Sequence, residues 1–478
     1  MKTAQREKTL MNISKKTFLQ VTALLLCLLV LSIALTYLLP KGEFGLRPDG
    51  STDFTTFLPR TDLRGVPLLQ GIFAPVLVFF SSDGLTLLML SLFLFVISAS
   101  FQVMNDVGGI RALIGAVSAR FRGRRKLLLI LISFLFYCFG SFLGLFEEML
   151  TMLPVITALS VLAGYDSFAG FLSCIVACGF GFAGAVTNPF TVLLASEIIG
   201  VNPMEHVWMR LLVFGVMYVL FLLFLLRYLG RLERDPGSSL TRKHDETLRS
   251  GGAAAGEREE DPGALRRTRL VYTVFLLLSL LLVVISSLNS MLRGYTVPIL
   301  IAYFLLFGVA AGVLAARQLR PVLISFLRGL LGALPTLVFI ALAASVKFVF
   351  DKGCVLPALV YRINGLAEGR SPFLVAVIIY LIVLVLEFFI SSSTAKAILV
   401  MGLLAVVNVG LTKPMLVLIY TFADGYTNLL FPTSPVLLIS LAMIEADYFT
   451  WVKKSLPLFL LNLLLVLGFL ALGILASY

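Results

Sequence analysis

Apolar runs of about 20 residues, the length that crosses a bilayer core, recur along nearly the whole chain with short polar loops between them. Runs at 18–39, 84–104, 207–228, 270–287, 297–316, 336–350 and 455–476 are unbroken and predict single spans. Two longer runs, 168–200 and 414–447, carry prolines and hydroxyl residues at their middles, at Thr187-Asn188-Pro189-Phe190-Thr191 and Phe431-Pro432-Thr433-Ser434-Pro435. A mid-span proline removes a ladder bond, which a membrane tolerates only where protein or a polar cavity satisfies the freed groups. These two runs predict broken spans. Two further runs turn back at polar tips and predict re-entrant hairpins. One covers 127–163 with Glu147-Glu148 at its tip, and the other covers 372–409 with Ser391-Ser392-Ser393-Thr394. Segments 65–80 and 318–334 read as interfacial amphipathic pieces. The expected fold is all-α and polytopic, with nine spans plus two hairpins.

Composition supports this reading: 59% of residues are hydrophobic and 13% charged, and soluble domains carry about twice that charge. The first run, Phe18 to Leu39, is long enough to span and no small-residue cleavage site follows it, so it reads as a retained helix rather than a signal peptide. The net charge of +12 comes from basic residues clustered in alternate loops. Lys2, Arg6, Lys8, Lys15 and Lys16 precede the first run, and Arg111, Arg120, Arg122, Arg124, Arg125 and Lys126 fill a later loop. By the positive-inside rule the N-terminus is cytoplasmic and the C-terminus lies outside a cytoplasmic (inner) membrane. Nucleic acid is not an expected partner, because the aromatics lie within apolar runs and not beside a basic face. The lipid bilayer is the expected partner, and a homodimer is an open alternative to a monomer.

Residues 230–268 form the one long hydrophilic segment and predict a cytoplasmic linker between halves 1–229 and 269–478. Glu148 to Ser391 and Pro189 to Pro432 share an offset of 243 residues, which also carries Trp208 onto Trp451 and Arg210 onto Lys453. With loop charges placing the two hairpins on opposite sides, this predicts an inverted-topology repeat whose broken helices meet at a midplane solute site.

The tips and breaks supply the candidate solute- or ion-binding residues. Glu147, Glu148 and Thr151 come from the first tip, and Thr187, Asn188 and Thr191 from the first break. Ser391, Ser392, Ser393, Thr394 and Lys396 come from the second tip, and Asp424, Asn428, Thr433 and Ser434 from the second break. Ionisable groups at mid-membrane depth are costly and therefore functional by default. Lys396 suits a carboxylate, or an internal ion pair with Asp424 or Glu387. The hydroxyls and amides suit a solute carboxylate beside half-helix N-termini, or local backbone capping. Lys347 and Asp351, four residues apart, read as an ion pair near a helix end.

The segments GLFEEMLTMLP (144–154) with GFAGAVTNPFTV (181–192), and SSSTAKA (391–397) with DGYTNLLFPTSPVL (424–437), resemble the DcuC/YfcC-like family of anaerobic four-carbon dicarboxylate carriers, within the ion-transporter superfamily. The resemblance covers nearly the full length outside the linker. It implies a secondary active transporter working by alternating access on a small carboxylate-bearing solute, a dicarboxylate or an amino acid. Related transporters carry Ser-Asn-Thr at their hairpin tips for sodium and carboxylate, where this chain has Glu-Glu and Ser-Ser-Ser-Thr.

The local excess of carboxylates points instead to an amino acid with a cationic group, as in arginine–ornithine exchange. A passive channel would need a continuous polar stripe, which the clustered polar residues do not form, and a structural subunit is the remaining alternative. No nucleophile elbow, zinc helix or phosphate loop occurs, and with only His206 and His244 no enzyme is expected. No cofactor is expected either. The coupling ion is a proton or sodium, and the paired carboxylates at the first tip favour the proton because like charges and desolvation raise carboxyl pKa values.

Overall fold

The computed structural model describes residues 15–48, 52–110, 112–113, 123–242, 244–246, 262–289, 291–292, 295–367, 369–390 and 392–478. Helix α1 (Lys15–Leu38) leads into strands β1 (Gly42–Leu46) and β2 (Thr52–Pro59), then two short helices over 68–77 and a 3-10 turn, Val78–Phe80. Helix α2 (Gly84–Asp106) follows, then α3 (Arg125–Leu143, its last turn π-helical) and α4 (Leu153–Leu162). Next come α5 (Ser167–Ala183), α6 (Pro189–Ile199) and α7 (Val207–Arg234). The second half contains α8 (Pro262–Leu288), α9 (Thr296–Ala316), α10 (Leu319–Gly332), α11 (Leu334–Lys352) and α12 (Val355–Ala367). It ends with α13 (Pro372–Phe389), α14 (Ser393–Val406), α15 (Lys413–Asp424), α16 (Pro435–Met443) and α17 (Tyr448–Leu475).

Among the described residues nine helices are long and apolar enough to cross a membrane, but they are not the nine runs expected. They include α3 and α13, the first arms of the two hairpins. The broken runs are each two short helices, α5 with α6 and α15 with α16. The arrangement is a multi-pass helical membrane fold.

Its internal two-fold shows in which helices touch. Helix α1 packs on α11 and α9 on α2, while the short helix Ala74–Leu77 packs on α11 and α10 on α2. Exchanging α1, the 68–80 segment and α2 for α9, α10 and α11 reproduces the same contacts. The repeat is inverted. Thr36, near the end of α1, lies against Gly353, whereas the end of α9 lies at the opposite pole, where Arg267 donates to the Ala315 carbonyl at 2.8 Å. At that second pole Asp106 accepts from Ser325 at 2.7 Å, and Lys126 pairs with Glu233 at 2.7 Å. The first pole joins Gly42 to the Cys354 carbonyl at 2.9 Å, and Lys347 pairs there with Asp83 as well as with Asp351.

Three features depart from the sequence reading. The offset of 243 is not the structural one. Helix α6 opens on Pro189 and its counterpart α16 on Pro435, not Pro432, and the return arms open at Leu153 and Ser393. The first tip is simply longer than the second, so matching by constant offset drifts by three residues either way. The Trp and basic pairs fall apart too, since Trp208 and Lys453 are exposed while Trp451 and Arg210 are buried.

The linker 230–268 is shorter than expected. Helix α7 runs on to Arg234, α8 begins at Pro262, and the chain after Asp235 docks on the start of α5. There Asp245 accepts from the Ser167 amide at 3.0 Å and hydroxyl at 2.6 Å, and Ser239 donates to Asp166 at 2.9 Å. Residues 243 and 247–261 lie outside the described residues.

The third departure is the two-stranded antiparallel hairpin of β1 and β2, where the all-α reading expected no strand. Phe57 stacks on Tyr361 at 4.1 Å, and the Phe54 ring covers Gly402 on α14. Glu43 pairs with Arg60 at 3.0 Å and accepts from the Cys354 thiol at 2.9 Å. The strands thus strap α14 to α12 and to the turn between α11 and α12.

Candidate functional site

The first break is held by the first hairpin. After Gly184 the backbone leaves the helix, and the amides of Val186 and Thr187 both turn to the Ser141 carbonyl on the π-helical end of α3, at 3.1 and 3.4 Å. Ser141 Oγ also donates to the Gly184 carbonyl at 2.7 Å. Asn188 then starts α6. Its Oδ1 accepts from the amides of Phe190 at 2.9 Å and Thr191 at 3.3 Å, while Nδ2 donates to the Gly140 carbonyl at 3.1 Å. Pro189 fits there because a first-turn residue needs no N–H partner. Gly144 has φ +68°, and a Cβ on it would stand 2.6 Å from Asn188 Oδ1, so tip and break are fitted together. Thr187 donates to the Phe142 carbonyl at 3.2 Å. Asn188 and Thr187 are therefore occupied as backbone caps, the local alternative for such side chains. Among the described residues Thr191 Oγ1 has no hydrogen-bond partner, although it is buried.

At the first tip Glu148 opens a short 3-10 turn that also holds Thr151, and both are buried, whereas Glu147 is exposed. Among the described residues neither glutamate has an ion-pair partner. Cys174 and Cys178, buried in α5, donate to the carbonyls of Met149 and Leu145 and so brace the tip as small core residues.

The second half gathers charge more tightly. Lys396, in the first turn of α14, is fully buried between Glu387 in the last turn of α13 and Asp424 at the end of α15. Its Nζ lies 2.6 Å from Asp424 Oδ1 and touches Glu387 directly. The other Asp424 oxygen accepts from Ser393 Oγ at 2.6 Å, and Tyr420 donates to the Ser393 carbonyl. Ser392 caps α14 by accepting from the Ala395 amide at 3.3 Å, and Thr394 is exposed. Ser391 lies outside the described residues. Asn428 Nδ2 donates to the Asp424 carbonyl at 3.0 Å, and Trp451 Nε1 to the Leu429 carbonyl at 2.6 Å, so the freed backbone of the second break is satisfied too. Among the described residues Thr433 Oγ1 is buried without a partner, and Ser434 opens α16 without capping it.

The breaks of the two halves touch. A Cβ on Gly425 would fall 2.1 Å from the Ala183 amide, so only glycine lets Asp424 come this close to the end of α5. Segment 189–193 packs on α15 and α14. The two breaks thus meet, and the buried charge falls at two foci, Glu148 at the first tip and Glu387–Lys396–Asp424, whereas Glu147, Ser392 and Thr394 are exposed. Tyr420 was not singled out in the sequence, where it is one aromatic in an apolar run; only its position one turn before Asp424 hints at a role.

A family profile, the C4-dicarboxylate anaerobic carrier DcuC, matches residues 18–475. The chain belongs to this family. A protein of Escherichia coli K12 provisionally named a basic amino acid antiporter, YfcC, is 25% identical over 394 residues, covering 79% of this chain and 76% of its own. A protein of Haemophilus influenzae Rd that carries no functional name is 23% identical over 380 residues, covering 79% of this chain and 73% of its own. The crystal structure of the YdaH transporter of Alcanivorax borkumensis aligns over 96% of this chain and 99% of that one, at 15% identity and a TM-score of 0.45. The family makes this chain a membrane carrier.

Proposed function

We propose that the protein is a secondary active transporter that moves a small carboxylate-bearing solute with a cationic group, an amino acid of the arginine or ornithine type, by alternating access. The observation behind this is the buried acidic excess. Glu387 and Asp424 share a single lysine, and Glu148 has no base beside it among the described residues. An uncompensated carboxylate at membrane depth costs several kcal/mol, and a cationic solute group supplies the missing charge. The half-helix N-termini at Pro189 and Pro435 face the solute carboxylate in this reading. The name of the Escherichia coli relative agrees with it. The dicarboxylate reading rests on the family description and requires Lys396 to be released from both of its carboxylates.

In the proposed orientation the N-terminus is cytoplasmic, in the inner membrane, and the strap faces outside. The proposed coupling ion is a proton carried at Glu148, with sodium at the Ser393, Thr433 and Ser434 oxygens as the competing arrangement. Uptake into proteoliposomes tests both points. Arginine accumulation driven by an imposed pH gradient and indifferent to sodium is expected. Succinate accumulation in its place overturns the solute, and dependence on sodium alone overturns the proton.

A further inference from the structure

The second focus has an arrangement that a simple solute pocket does not require. Lys396 is the shared counter-ion of two carboxylates on two different elements, Glu387 on the inbound arm of the hairpin and Asp424 at the break. All three side chains are buried. Among the described residues no second base pairs with either carboxylate, and Lys396 Nζ has one further, longer contact, to the Ile390 carbonyl at 3.4 Å. Asp424 is the better-furnished acceptor, holding Ser393 Oγ on its other oxygen, whereas Glu387 has only the lysine. A buried ion pair badly tolerates loss of either partner, because the other charge is left uncompensated. Without an external cation the triad keeps one net negative charge, and the lysine, standing between two berths, is shared by both carboxylates.

We propose that Lys396 is a built-in competitor of the solute's cationic group for Asp424, and that Glu387 is the berth the lysine takes when the solute displaces it. This rests on the reading of the solute as cationic. In the solute-free state Lys396 bridges hairpin to break and holds them closed. An incoming ammonium or guanidinium group takes Asp424, and the lysine swings wholly onto Glu387 without leaving the protein interior. No bond is made or broken, and the total charge of the triad stays at −1 until the solute adds its own. Glu387 is thus a positioning residue that sets affinity without touching the solute.

The proposal makes opposite-signed predictions for neighbouring substitutions. Binding of radiolabelled arginine, and separately of succinate, is measured by equilibrium titration on purified full-length protein that elutes as a single species. Glu387→Gln removes the second berth and should weaken arginine binding by about tenfold or more, because the lysine then holds Asp424 alone. The double variant Glu387→Gln with Lys396→Met removes the competitor along with its berth and should bind arginine more tightly than the native protein. Lys396→Arg preserves every charge and clamps both carboxylates with a planar fork, so it should fold normally and bind arginine more weakly. Native arginine binding with a double variant that weakens like the single one overturns the competitor role and leaves the solute reading intact. Native binding of succinate and not arginine overturns both. Should the Glu387 variants fail to fold, unchanged arginine affinity in Lys396→Arg overturns the proposal by itself.

Discussion

Replacing Asn188 with alanine separates a structural cap from a solute ligand. The side chain makes three hydrogen bonds, two accepted from the first amides of α6 and one donated to the Gly140 carbonyl. Loss of an N-cap acceptor costs about 1 kcal/mol. The orphaned Gly140 carbonyl, which is buried, adds about 1–3 kcal/mol. Together the loss is about 2–4 kcal/mol, against an Asn188→Asp variant that keeps the cap and loses only the donor. The assay is equilibrium unfolding of purified protein in mixed micelles, followed by the fluorescence of buried Trp451, which reports the second break. If Asn188→Ala unfolds with native stability while its arginine affinity collapses, the cap assignment is wrong and the side chain belongs to the solute.

Other perturbations test other parts. Asp424→Asn and Glu148→Gln should each abolish transport in protein that still inserts, and wild-type uptake across pH would make these groups structural. Burial and the hydrogen bond to Glu43 push the Cys354 thiol up to about 12, so the reactive thiolate forms only as pH rises well above neutral. A membrane-impermeant maleimide should label it about a thousandfold more slowly than a free thiol at pH 8. Phe57→Ala, which removes the Tyr361 stack, should speed that labelling by loosening the strap; no change would show that the strap does not cover the turn. Cysteines introduced at positions 2 and 250 should be protected from external reagent and one at 478 reactive, and equal labelling of 250 and 478 would defeat the inverted orientation.

The parts of the fold that the chain shows on its face are those governed by solvent. Long apolar runs, interrupted where Pro189, Pro432 and Pro435 forbid a continuous ladder, define the helices and where they break. Registration between the halves is less legible, because it depends on tip length. The first tip needs residues 144–152 to wrap Gly144 around Asn188, whereas in the second half α13 ends at Phe389 and α14 begins at Ser393. The strap was missed, because Phe44, Phe54 and Phe57 are too few to give a periodicity that competes with the surrounding spans. At the site, charge types and approximate depth can be read from the sequence. Which carboxylate Lys396 serves cannot, since Glu387 and Asp424 are distant in sequence and meet only through the packing of α13 on α15. The fixed roles of Asn188 and Thr187 as caps depend likewise on the π-helical end of α3, whose extra residue per turn leaves no clear mark in composition.

The central claim is that a deep acidic site in a carrier selects a carboxylate-bearing solute with a cationic group. Counterflow tests it most directly, with proteoliposomes preloaded with unlabelled ornithine, then with succinate, and diluted into trace labelled arginine. Transient arginine accumulation driven by internal ornithine is expected, absent with internal succinate and absent in Asp424→Asn. Accumulation of labelled succinate against internal succinate, with no response to ornithine, would contradict it.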